Sequence, residues 1–66
     1  MATKEIFAYR LFETRENRGI TRQKAADDLG ISRASLEYYE KGKRTPDLNT
    51  IGKISDYFNV SIDYLM

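Results

Sequence analysis

The chain contains neither cysteine nor histidine. Without thiols it has no disulfides and no thiolate metal ligands to supplement its core, a composition consistent with a reducing, intracellular setting. The same two absences remove the usual nucleophile and base pairs. There is also no phosphate-cradling glycine loop and no carboxylate pair with evident shared burial, so an enzyme is not expected. No catalytic residue, metal or cofactor follows from these residues. Apolar runs of the roughly 20 residues needed for a membrane span are missing too, and the N-terminus MATKEIFAYR lacks the basic-then-apolar order of a signal peptide. The expectation is a soluble cytoplasmic protein with no membrane partner.

What remains is a chain of 66 residues with 11 basic and 10 acidic side chains. That length allows one domain over 1–66, burying about 60% of its unfolded surface. The net charge of +1 hides an uneven distribution. Residues 1–20 hold four Lys/Arg and three Asp/Glu, residues 21–46 hold six and four, and residues 47–66 hold one and three. A basic middle suits a polyanionic partner, although an excess of two charges is also compatible with an ordinary solvated face.

Apolar residues recur at helical spacing, and no segment alternates with period two, so the fold class is all-α. A first helix, about residues 4–18, carries Phe7 and Leu11 inward and stops at Gly19. Thr21 caps a second helix with Ala25, Ala26 and Leu29 on its inner face, ended by Gly30. Ser32 then caps a third helix running to about Lys41, closed by Gly42. Two short helices joined this tightly must cross steeply. Pro46 excludes helix for the residue before it, and Asp47 caps a fourth helix with Leu48, Ile51, Ile54 and Phe58 inward. Asn59 breaks that pattern, and Ser61 caps a last turn over 62–66.

The stretch SRASLEYYEKGKRTP, residues 32–46, sets two tyrosines about 100 degrees apart on the third helix. Leu36 and Tyr39 share one face; Ala34 and Tyr38 share another with Arg33, Glu37 and Lys41. Leu36 is the only aliphatic residue beyond alanine on this helix, so its face turns inward. Tyr39 is therefore core and Tyr38 is not. Glu40 lies at the edge of the inner face and needs a cationic partner. Arg15, four residues after Leu11, is the candidate, with an outward Glu40 beside Lys43 or Arg44 as the alternative.

Arg15, Gly19, Ile20-Thr21, Ala26, Leu29-Gly30-Ile31-Ser32, Leu36, Tyr39-Glu40, Gly42-Lys43, Pro46 and Val60-Ser61-Ile62-Asp63 form a long ordered set of spacings. In these positions the chain resembles the helix-turn-helix domain of phage lambda-type repressors and Cro proteins, the XRE family. The resemblance covers nearly the whole chain. It implies a compact bundle of about five short helices, with a helix-turn-helix unit over about 21–41 and the third helix as recognition helix in the major groove. It further implies an internal Arg15–Glu40 pair, base contacts from Arg33, Ala34 and Tyr38, and a phosphate contact from Arg22. Thr21, Ser35, Lys41, Lys43 and Arg44 are the further backbone candidates.

The chemistry of these side chains suits the implied roles. Arg33 can donate two parallel hydrogen bonds to guanine, and a cation beside the positive end of a helix dipole is otherwise poorly placed. Ala34 offers a methyl to thymine; Tyr38 offers a ring and one hydroxyl. Glu37 can accept from cytosine N4, although an acid beside phosphates needs Arg33 or Lys41 to hold it. Lys43 and Arg44 follow the Gly42 stop, where exposed amides and cations can fix register on the phosphate backbone.

The implied function is sequence-specific binding of double-stranded DNA as a transcriptional regulator, most simply a repressor acting as a homodimer on a palindromic operator. Tyr57, Val60, Ile62, Tyr64 and Met66 make the chain end more apolar than one helical turn can bury, which fits either dimerisation or a further domain beyond Met66. An antitoxin-like or other protein-binding helical module is the competing reading.

Two departures from the family pattern stand out. Helix two more often begins with glutamine and has an acid two residues on, where this chain has Arg22, Gln23 and Lys24 and so lacks the capping box. Thr14 and Ala25 stand where larger apolar residues are usual, leaving Phe7, Phe12 or Tyr9 to fill the helix-one and helix-two contact.

Overall fold

Side-chain caps and left-handed residues divide the chain into its helices. The computed structural model describes residues 3–66, with side chains from residue 5. Among the described residues there are five helices and no strand: α1 (Thr3–Asn17), α2 (Arg22–Leu29), α3 (Arg33–Glu40), α4 (Leu48–Phe58) and α5 (Ile62–Leu65). Thr21, Ser32, Asp47 and Ser61 each precede a helix in extended conformation and accept the amide proton of the residue three further on. Each thereby satisfies an amide that the first helical turn leaves without an intrahelical partner.

The stops are equally local. Gly30 closes α2 at φ 74°, and the Ile31 amide donates back to the Ala26 carbonyl at 3.0 Å. A Cβ added at Gly30 would meet nothing within 4 Å, so glycine is needed there for its backbone conformation rather than for space. Asn59 reaches the same region at φ 56° and closes α4 without a glycine, a conformation that asparagine tolerates better than most residues.

Phe7 and Leu11 of α1, Ala25, Ala26 and Leu29 of α2, Leu36 of α3, Ile51, Ile54 and Phe58 of α4 and Leu65 of α5 form one core. α1 packs against α3 and α5, and α2 packs against α3. Tyr39 lies partly buried against this core, whereas Tyr38 keeps 42% of its surface exposed.

Some sequence expectations shift. α1 begins at Thr3 and ends at Asn17, and α3 ends at Glu40 with Lys41 as its cap. Leu48 is 74% exposed rather than inward: it opens α4, and the buried stripe runs through Ile51, Ile54, Ser55 and Phe58. Phe7 fills the interior of α1, but Tyr9 and Phe12 are exposed, because the buried arc passes through Phe7, Ala8, Leu11, Thr14 and Arg15. Thr14 and Ala25 are themselves buried.

Two charged side chains complete the interior. Arg15 Nε donates to Glu40 Oε2 at 2.7 Å and its Nη2 to Glu40 Oε1 at 3.1 Å, with the side chains 5% and 1% exposed. Arg15 Nη1 donates to the Ile20 carbonyl at 2.8 Å, tying the end of α1 to the turn before α2. The same carboxylate accepts a third bond, from Arg22 Nε at 2.9 Å. No buried side-chain nitrogen or oxygen among the described residues lacks a partner. Glu40 holds the Arg15 guanidinium charged, above its ordinary range, chiefly through their hydrogen bond.

Glu40→Ala leaves the Arg15 charge buried and unpaired, and the expected loss is about 3–5 kcal/mol in a denaturant melt. A neutral result would place Glu40 outside the interior. Tyr39→Ala should cost at least about 2 kcal/mol, while Tyr38→Ala should leave the melting temperature nearly unchanged. Equal losses from the two would contradict the assigned faces.

Acid unfolding has a defined sign. The Asp28 carboxyl is lowered by bonds from Tyr57 and Lys24, and that of Asp47 by bonds from Thr50. Both carboxylates therefore stabilise the fold fully above their unfolded pKa of about 3.9 and lose that contribution as pH falls through the lower folded values. Melting temperature should drop on acidification below about pH 4, and the drop should be shallower in an Asp28→Asn, Asp47→Asn double variant. An unchanged acid limb would contradict these contacts.

Candidate nucleic-acid interface

Spacings of three and four put Arg33, Ala34, Glu37, Tyr38 and Lys41 along one outer side of α3. Arg33, Ala34, Tyr38 and Lys41 are exposed and Glu37 is half-buried. The side opposite holds Leu36 and Glu40 in the interior. Helix α3 is thus fixed from behind by the core and by the Glu40 cluster, and its free side is the one carrying the four base-contact candidates.

The start of α2 faces the start of α3 across an open hollow. A cavity of about 450 Å³ is lined by Phe12, Gly19, Ile20, Thr21, Arg22 and Arg33, with Arg15 and Glu16 at its floor and edge. Arg22 and Arg33, from different helices, therefore share one surface. Thr21 Oγ1 accepts the Lys24 amide proton at 3.1 Å, which leaves its own hydroxyl proton free to donate outward. Ser32 Oγ accepts the Ser35 amide proton at 3.0 Å and donates to Ser35 Oγ at 2.9 Å, leaving the Ser35 hydroxyl proton in the same position.

Glu37 is held by its own helix. Lys41 Nζ lies 3.1 Å from its Oε2, one turn on. Lys41 first, and Arg22 and Arg33 through their charges, lower the Glu37 carboxyl from its ordinary value. The acid is therefore ionised at neutral pH and neighbours the cations of this face instead of standing isolated.

Lys43 and Arg44 lie at the far end. About eight residues of helix, roughly 12 Å, separate Arg33 from them. Their side chains are exposed, but their amides are not free as the sequence suggested: both turn back to the Tyr38 carbonyl, at 2.9 and 3.4 Å. Gly42 at φ 74° reverses the chain there, so the orphan carbonyl of α3 captures the amides and only the side-chain cations remain for a partner.

The Arg22–Glu40 bond is the contact that the sequence reading missed. A signal existed: an ionised carboxylate offers about four acceptor sites, and one arginine fork leaves some of them unused. Arg10 was missed as well. It donates to the Tyr64 carbonyl and lies over the Tyr64 ring at 5.0 Å from its centroid, joining α1 to α5. Ile62, Tyr64 and Met66 stay partly exposed at this end, while Leu65 is fully buried and Tyr57 and Val60 pack on the core. Tyr57 also donates to Asp28 at 2.6 Å.

Among the described residues no helix is long and apolar enough to cross a membrane. Comparison with known proteins agrees with the architecture. The SPbeta prophage-derived uncharacterized HTH-type transcriptional regulator YonR of Bacillus subtilis (strain 168) is 43% identical over 61 residues, spanning 92% of this chain and 56% of that protein. The HTH-type transcriptional regulator ImmR of the same organism is 44% identical over 57 residues, 86% of this chain and 45% of that one. The chain thus spans about half the length of these relatives. Among solved structures, the restriction-modification controller protein C.AhdI from Aeromonas hydrophila superposes with a TM-score of 0.90 over all of both chains at 26% identity. The helix-turn-helix family profile matches residues 11–65, from the middle of α1 to the end of α5, and the chain belongs to that family.

Proposed function

We propose that this chain binds double-stranded DNA sequence-specifically, with α3 in the major groove, and regulates transcription as a repressor. The observation that carries this reading is the one-sided construction of α3: buried Leu36 and Glu40 behind, exposed Arg33, Ala34 and Tyr38 in front, and Arg22 beside them across the hollow. Family membership and relatives named as transcriptional regulators support it.

Arg33 is the principal base reader, donating in parallel to guanine O6 and N7. Ala34 admits close approach or a thymine methyl, and Tyr38 packs its ring on the groove wall. Glu37, paired with Lys41, accepts from cytosine N4. Thr21, Arg22, Ser35, Lys41, Lys43 and Arg44 contact phosphates and set register without reading sequence. A domain that fills the groove excludes other proteins from it, which is the simplest route to repression in the cytoplasm.

One copy covers a half-site, so a homodimer on a palindromic operator is expected, with half-sites about 34–36 Å apart. The partly exposed Ile62, Tyr64 and Met66 supply apolar area for that contact.

An operator obtained by selection from random duplexes, titrated by fluorescence anisotropy over a salt series, tests the reading. Log K should fall linearly with log salt, by about 0.9 for each phosphate neutralised. Arg33→Ala should relax preference at one base pair by about 1–3 kcal/mol. A flat salt response, or no binding at low salt, would refute DNA binding.

A further inference from the structure

We propose that Glu40 is a positioning residue for DNA binding, holding Arg22 so that its two terminal nitrogens present a fixed fork to one backbone phosphate. This deepens the DNA-binding reading above and rests on it. Glu40 Oε1 receives both Arg15 Nη2 at 3.1 Å and Arg22 Nε at 2.9 Å, while Oε2 receives Arg15 Nε at 2.7 Å. The carboxylate is 1% exposed and pinned in place by Arg15; the Arg22 side chain is 27% exposed. The buried group thus grips the more exposed one by its inner nitrogen.

A guanidinium is planar, so fixing its Nε–H direction restricts where Nη1 and Nη2 can lie. Among the described residues those two nitrogens of Arg22 have no hydrogen-bond partner, and the side chain lines the hollow with Thr21 and Arg33. Arg22 also begins α2, where a cation is disfavoured by the helix dipole. Glu40 offsets that cost from inside the fold. The arrangement matches bidentate phosphate recognition, in which arginine contributes orientation as well as charge and lysine only a point charge. Pre-ordering the side chain also lowers the entropy lost when DNA binds.

The test uses the full chain and its selected operator. Arg22→Lys keeps the charge but cannot both bond Glu40 through Nε and offer a fork. It should bind on the order of tenfold more weakly with an unchanged salt slope, the effect of one lost charge-assisted hydrogen bond. Arg22→Gln should lower the magnitude of the salt slope by about 0.9, one phosphate fewer. In a Glu40→Gln background the Arg22→Lys penalty should shrink, because the two residues act as a unit.

Wild-type affinity in Arg22→Lys, an unaltered slope in Arg22→Gln, or additive effects of Arg22→Lys and Glu40→Gln would each overturn the proposal. The single Arg22 variants can overturn it even if Glu40→Gln fails to fold. Melting curves of these variants separate lost binding from lost fold. Absence of salt-dependent binding by the wild-type chain would instead refute the DNA-binding reading itself, whereas wild-type binding with an indifferent Arg22→Lys would refute the positioning role alone.

Discussion

The buried Glu40 carboxylate, with Arg15 clasped against it, fixes how α1, α2 and α3 meet. A charge with 1% of its surface exposed can persist only if its acceptors are occupied by cations in good geometry. Three N–H donors meet that need here, two from α1 and one from α2, while the acid itself closes α3. One carboxylate therefore ties together three helices that share few large apolar side chains.

That economy suits a short chain. Ala25 and Ala26 bring α2 close to its neighbours but contribute little buried area, and Thr14 is buried on α1. In a small domain, fixing orientation through one satisfied ionic cluster complements a core built mainly from Phe7, Leu11, Leu36, Ile54 and Phe58. The caps work in the same direction. Thr21 and Ser32 set the starts of α2 and α3 only eleven residues apart, so the outer side chains of these helices are held by local hydrogen bonds at one end and by the core at the other.

Much of this was legible in the sequence because it is local. Gly30 and Asn59 as stops, and Thr21, Ser32, Asp47 and Ser61 as caps, act on backbone groups three to five residues away, within reach of pattern reasoning. Separation of Tyr38 from Tyr39 needed only helical periodicity. The misreadings share a different origin. Leu48 fits the α4 spacing, but whether the first residue of a helix meets a neighbour depends on where the other helices end. Phe12 and Tyr9 are large enough to fill a gap, yet the arc that faces the core passes them by. The amides of Lys43 and Arg44 are consumed by a carbonyl whose position follows from the turn geometry at Gly42. Arg22 reaches Glu40 across 18 residues, a contact set by helix crossing and invisible to spacing within a helix.

One carboxylate restrains two arginines of unlike exposure, Arg15 in the interior and Arg22 partly exposed. Side-chain nitrogen NMR of the arginine Nε–H groups in the free protein reads this directly. Slowed exchange and dispersed resonances are expected for both Arg15 and Arg22, set apart from exposed Arg18 and Arg44, with the Arg22 protection reduced in Glu40→Gln. An Arg22 Nε–H that exchanges as fast as those of Arg18 and Arg44 would contradict it.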